Sequence, residues 1–270
     1  QNLAIEPLEP IYNEYKSRMS RADFWASIGN IALEYTASFS TKPGKLPSLS
    51  YYFGRIDCPL SPNAVTTSGT GGTEFPLAHL GWDPAFDFFK EKLGLGLKET
   101  TAIFGAHTLG KMHKSNSGFD GQWTHTPHIF DNQFFIELWN RDNEWDQTSI
   151  GATTNEPLEF PQWGNMGRGI GEQELTMLNA DYSLLVRIEE PKENPPLDEN
   201  TGIVTCRVRE FGLRGSFNRC RGEVSHYRVR DFAEDNQLFY DEFVKGWNKI
   251  LTNNQPNLNE VIANEFVDNR

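Results

Sequence analysis

The stretch Ala102–Trp123, AIFGAHTLGKMHKSNSGFDGQW, limits what this chain can be more than any other. Ala102, Ile103, Ala106 and Leu109 recur at helical spacing ahead of Gly110, which predicts a helix with Gly110 as its C-cap. His107 then falls in the last turn, where an imidazole can project a ring nitrogen beyond the helix end. Gly105 and Ala106 are small enough for a flat group to lie close against that turn. Neutral imidazole is a good ligand for iron, and a strong one when a carboxylate holds its other N–H. Such a site needs an Asp or Glu from elsewhere in the chain. Two other readings stay open on these residues alone. One is a hydrogen-bonded core histidine. The other is zinc, because His113, His125 and His128 follow closely, although their spacings fit no familiar tetrahedral pattern and no Cys lies among them.

Around this segment the pattern is punctuated helix. MSRADFWASIGNIALEY places Phe24, Trp25, Ile28, Ile31, Ala32 and Tyr35 on one helical face, with Ser20 as N-cap and Asp23 as its capping-box partner. WDPAFDFFKEKLG reads as a second amphipathic helix stopped by Gly94. HIFDNQFFIELWNRD and YDEFVKGWNKILTN read as further helices. SPNAVTTSGTGGTEFP reads as loop, as does the stretch from about 147 to 171. SLLVRIEE and TGIVTCRVREF look strand-like, and the chain ends in a polar tail. The class is mainly α with a small β excursion around 185–231.

Charge and hydropathy exclude two classes of partner. A net charge of -12 offers no basic field for nucleic acid. With a mean hydropathy of -0.56, the chain has no apolar run near the ~20 residues of a spanning helix. The start at Gln1 rather than Met reads as a processed chain or a fragment. Cys206 and Cys220 flank the turn signal GLRG, so a disulfide there would suit a secreted protein, with two free buried thiols as the alternative. Cys58 is left over for a partner on another chain. An extracellular or secretory location follows, with a cytoplasmic or organellar one as the alternative.

The residues also carry a resemblance that covers nearly the whole chain. GAHTLGKMH…SGFDGQW is similar to the proximal segment of the haem peroxidases in the group containing cytochrome c peroxidase and ascorbate peroxidase. QNLAIEPLEPIYNEY resembles the helix after their distal loop, and MSRADFWASIG their S-x-A-D-L helix. YYFGRID is similar to their G-R-x-D turn, FPLA stands at LPDA, and LTMLNADYSLL resembles LPTDYSL. The resemblance implies two helical domains sandwiching haem. Residues 1–95 would be a remnant of the distal domain and a loop. Residues 96–252 would form an intact proximal domain with an arm inserted at about 186–231, and 253–270 a polar tail.

Carried over position by position, the resemblance makes His107 the axial ligand of haem b. Asp181 is the carboxylate that takes its N–H, and Trp123 the tryptophan stacked under it, so the catalytic roles fall to Trp123 and Asp181. Phe104, Ala106, Gly110 and Leu178 would line the haem plane, and Pro76 would touch its opposite face. Lys111 and His113 would neutralise the propionates. Thr108, Thr124, Thr126 and Asp131 fall where ascorbate peroxidase holds a cation, with hard oxygens suited to potassium or calcium. The reactants implied are hydrogen peroxide and a reducing substrate. Asn116 replaces the arginine that binds ascorbate, which speaks against that substrate.

The family's distal Arg–x–x–aromatic–His stretch does not occur in these 270 residues, and His79 is the only nearby substitute. The expectation is a peroxidase chain completed by a companion polypeptide that carries the distal Arg and His. The alternative is an inactive pseudo-peroxidase used as a binding or structural protein.

Overall fold

Ser20 starts the first long helix as the sequence predicts, in extended backbone with its hydroxyl accepting from the Asp23 N–H at 3.0 Å. The computed structural model describes residues 6–57, 78, 81–140, 145–154, 156–165, 175–186 and 225–262. In chain order the helices are α1 (Glu9–Tyr15), α2 (Arg21–Ala37), α3 (Trp82–Leu93), α4 (Leu97–Phe104), α5 (Lys114–Ser117), α6 (Gln133–Trp139), α7 (Asn179–Tyr182), α8 (His226–Glu234) and α9 (Asn236–Thr252). The strands are β1 (Ser50–Phe53), β2 (Lys111–Met112), β3 (Gly121–Gln122), β4 (Trp145–Ile150), β5 (Pro157–Asn165), β6 (Leu175–Met177) and β7 (Asn259–Ile262). The mainly α class stands. Among the described residues, no helix is long and apolar enough to cross a membrane.

Several expectations need correction. Ile31 and Tyr35 do not face the core: they are exposed, while Phe24 and Leu33 are buried together with Asn30. Asn30 turns the helix inward because its amide is satisfied there. It donates to the Ser50 carbonyl at 2.9 Å and accepts from Trp247 Nε1 at 2.7 Å. Asp23 is buried as well, and its carboxylate takes the Gly54 N–H and pairs with Arg55 at 2.8 Å, tying α2 to the GRID turn.

Most of the described residues in the loop expected over 147–171 are strand. β4 and β5 pair antiparallel, and β5 continues onto β6 in a five-stranded sheet of order β2-β3-β6-β5-β4. β5 contains two prolines, Pro157 and Pro161. Here Pro157 begins the strand, and Pro161 lies where the register shifts opposite Thr148 and Ile150, so neither interrupts a ladder. The polar tail contributes β7, which pairs antiparallel with β1 from Ser50↔Ile262 to Phe53↔Asn259. Of the strand-like SLLVRIEE, Ser183–Leu185 form a turn after α7 instead. The arm expected at 186–231 gives way to α8 from His226, and TGIVTCRVREF and all three cysteines lie outside the described residues.

The core is aromatic. Phe239 on α9 has Phe130, Phe135, Phe232 and Phe243 around it, with ring centroids 5.2–6.2 Å away. All five rings are essentially fully buried. Tyr240 donates its hydroxyl to the Phe130 carbonyl at 2.7 Å, and Asn132 donates to the carbonyls of Phe232 and Ala233. These bonds fix the entry to α6 against α8 and α9.

Candidate functional site

The helix predicted through Leu109 ends earlier. α4 stops at Phe104, and Gly105–Thr108 tighten into a single 3-10 turn that carries His107. Gly105 is small for a reason the sequence does not show. A Cβ on it would meet Phe239 Cε2 at 2.4 Å and Phe135 Cε2 at 2.7 Å, so it serves the core side of the turn rather than the open side. Gly110 has a left-handed φ of 82° and donates its N–H to the Pro127 carbonyl at 2.7 Å, which leads the chain into β2.

Three elements converge on one carboxylate. β3 and β6 pair in parallel through Gln122↔Leu175, which sets Trp123 beside the corner from β6 into α7. Asp181 sits in α7 with no exposed surface. One of its oxygens lies 2.7 Å from His107 Nδ1, and the other accepts from Trp123 Nε1 and from the Leu178 N–H, each at 2.8 Å. A carboxylate meeting three nitrogens at these distances accepts from all of them. The Nδ1 contact is thereby a donation from His107, and in the neutral ring that tautomer leaves the lone pair on Nε2. The imidazole lies nearly parallel to the Trp123 indole, 15° apart with centroids at 4.3 Å. The Phe134 and Phe104 rings stand edge-on to it at 6.1 and 6.3 Å. The His107 side chain remains 34% exposed, so this rigidly held imidazole is not sealed in the core.

The other expected residues divide. Phe104 and Leu178 are buried beside the site, and Ala106 is half-buried on the His107 turn. Lys111 and His113 are exposed on and just after β2, whose partner strand leads into Trp123. Pro76 and His79 lie outside the described residues, whereas the carbonyl of neighbouring Ala78 accepts from the Ala180 N–H at 3.0 Å. Thr124 donates to the Thr108 carbonyl at 3.0 Å, and Thr108 to the Ile129 carbonyl at 3.4 Å. Thr126 lends its carbonyl to Ile129. Asp131 instead turns to Lys42, Ser40 and the Gln133 N–H. The zinc alternative finds no support. Among the described residues no three His, Cys, Asp or Glu side chains gather as a metal site.

Sequence reasoning also missed Asp120, which anchors the strand that leads into Trp123. It is buried and accepts from the backbone and hydroxyl of Thr153 and from the Thr154 N–H at 2.6–3.0 Å. Burial pushes its carboxyl up, but the Thr153 and Thr154 hydrogen bonds outweigh this and hold it below the ordinary value. A depressed folded value adds stability above the unfolded carboxylate pKa of about 3.9, and that stability is lost as pH falls through the folded value. Thr153→Val should therefore lower stability at neutral pH and flatten its decline below about pH 4. Urea unfolding across that range checks it.

With the geometry in place, comparison with known proteins is informative. A sequence model described as peroxidase matches residues 2–189. A Candida albicans protein with the provisional name heme-binding peroxidase is 32% identical over 184 residues, 68% of this chain and 54% of that protein. The cytosolic L-ascorbate peroxidase 1 of Oryza sativa subsp. japonica is 34% identical over 143 residues, 53% of this chain and 50% of its own. The cytosolic L-ascorbate peroxidase 2 of Arabidopsis thaliana is 34% identical over 162 residues, 59% and 57% of the two chains. The chain spans about half the length of the curated relatives it matches.

Proposed function

The chain belongs to the plant and fungal haem peroxidases, near the ascorbate peroxidase group, and on that footing we propose that it binds haem b on its His107 face and takes part in the hydrogen-peroxide-dependent oxidation of a reducing substrate. The observation that carries this reading is the shared carboxylate, which fixes His107 Nδ1 and Trp123 Nε1 together at 2.7 and 2.8 Å. The donor set suits haem iron: one imidazole held through Nδ1 and still partly exposed, with Phe104, Ala106 and Leu178 beside it and Lys111 and His113 exposed on and just after β2.

When bound, haem supplies the redox chemistry with peroxide. Asp181 acts through His107 as a positioning residue: it holds the Nδ1 proton, fixes the ring plane and makes Nε2 more electron-donating. Trp123 presents an electron-rich ring parallel to that imidazole, and its N–H stays anchored on Asp181. In this reading the acid–base group for peroxide comes from outside the described residues, on a companion segment with an Arg–x–x–aromatic–His stretch. Asn116 points to a reductant other than ascorbate.

We place the chain in the cytosol rather than the secretory route, in keeping with the names of the two plant relatives. A Cys206–Cys220 disulfide then loses its rationale. A potassium or calcium ion at Thr108, Thr124, Thr126 and Asp131 would have to share Asp131 with Lys42.

Haem titration tests the proposal. The wild-type chain should take up haem with a defined Soret band, and His107→Ala should lose that spectrum and bind more weakly. Equal affinity and identical spectra for the two proteins would refute the reading. Peroxide added to the wild-type haem complex together with its companion separates a peroxidase from a haem-binding chain without that activity.

A further inference from the structure

At the start of α6 three successive residues direct side-chain oxygens at one ammonium. Lys42 Nζ lies 2.6 Å from Gln133 Oε1, 3.0 Å from Asn132 Oδ1 and 3.2 Å from Asp131 Oδ1. An ammonium has three protons, and these partners account for all of them. Lys42 reaches the site from the segment after α2, with 23% of its side chain exposed against 5% for Asp131.

Other groups orient these oxygens without help from Lys42. Asn132 donates its amide to the Phe232 and Ala233 carbonyls, which leaves only its oxygen to face the lysine. Gln133 donates its amide to Glu137 at 2.7 Å, with the same consequence. Asp131 is held by the Gln133 N–H at 2.8 Å and by the Ser40 hydroxyl at 3.2 Å. The result is a preformed set of hard oxygens carrying one formal negative charge, the donor chemistry that selects alkali-type cations.

We propose that Lys42 is a built-in cation, whose ammonium fills an oxygen site that would otherwise take a free monovalent cation such as potassium or ammonium. The site lies one residue before Phe134, whose ring stands edge-on to His107. Lys42 thus fixes the α6 entry beside the imidazole whatever salt is present. This inference does not depend on haem, and its test uses none.

Thermal unfolding of the full 270-residue chain, in choline, sodium, potassium and ammonium chlorides at matched ionic strength, tests it. The wild type should melt at the same temperature in all four. Lys42→Ala should melt several degrees lower in choline and recover, saturably, in potassium or ammonium. The double variant Lys42→Ala with Asp131→Asn should show no recovery. A wild type stabilised by potassium over choline would overturn the proposal. So would a Lys42→Ala chain that melts like wild type in choline, or that no salt restores, folded or not. Reductive methylation of the wild type needs no substitution: Lys42 should react several-fold more slowly than exposed Lys45, and equal rates would contradict the account.

Discussion

Asp181→Ala should destabilise the chain by about 3 kcal/mol or more, because three donors, two of them buried, lose their acceptor at once and each buried orphaned group costs about 1–3 kcal/mol. The donors are His107 Nδ1, Trp123 Nε1 and the Leu178 N–H, and Asp181 itself has no exposed surface. Asp181→Asn should lose less, since one oxygen remains. Its amide then confronts either His107 or Trp123, each already a donor, so the loss does not vanish. Urea unfolding midpoints of the two variants check the order. An alanine variant within about 0.5 kcal/mol of wild type, the range of an ordinary surface change, would mean that the three donors are not held as described.

Gly105→Ala should have the second large effect, about 2–3 kcal/mol of overpacking. The added methyl would sit 2.4 and 2.8 Å from Phe239 ring atoms and 2.7 Å from Phe135. Neither ring can swing away, because Phe130, Phe232 and Phe243 surround Phe239, and Phe134 and Phe232 pack against Phe135. The strain falls on the turn that carries His107, so the variant should also bind haem more weakly. Gly110→Ala is the control. Its left-handed φ carries a backbone penalty, but nothing lies within 4 Å of the new methyl, so the cost should stay near 1 kcal/mol. Equal midpoints for the two variants would contradict the packing argument.

His107, Trp123 and Asp181 are legible in the sequence because the strings that carry them, GAHTLG…GQW and LNADYSLL, bear the resemblance, and the structure brings the three side chains together. Helix ends set by local chemistry are legible for the same reason: Ser20 caps α2, and Gly94 ends α3 with a left-handed φ of 68°. Features set by distant partners are not. Asn30 looks like the polar side of α2 until Ser50 and Trp247 satisfy it, and only then does it become clear why Ile31 and Tyr35 face outward. β7 lies within the stretch read as a polar tail and gains its place from pairing with β1. Pro157 and Pro161 conceal β5, since a proline at a strand start or a register shift looks the same in sequence as one in a loop. Gly105 and Lys42 are invisible for a related reason. Each matters through residues far along the chain, Phe239 for the one and Asp131 for the other.

The central claim is that His107 presents Nε2 to haem iron while Asp181 holds Nδ1. Resonance Raman spectroscopy of the ferrous haem complex of this chain reads the iron–imidazole stretch directly. The account predicts a strong band in the wild type, at higher frequency than for an imidazole without a carboxylate partner, because the hydrogen bond to Asp181 makes Nε2 a stronger donor. The band should fall in frequency in Asp181→Asn and disappear in His107→Ala. A haem complex whose iron–imidazole band is unchanged in His107→Ala, or never present in the wild type, would contradict it.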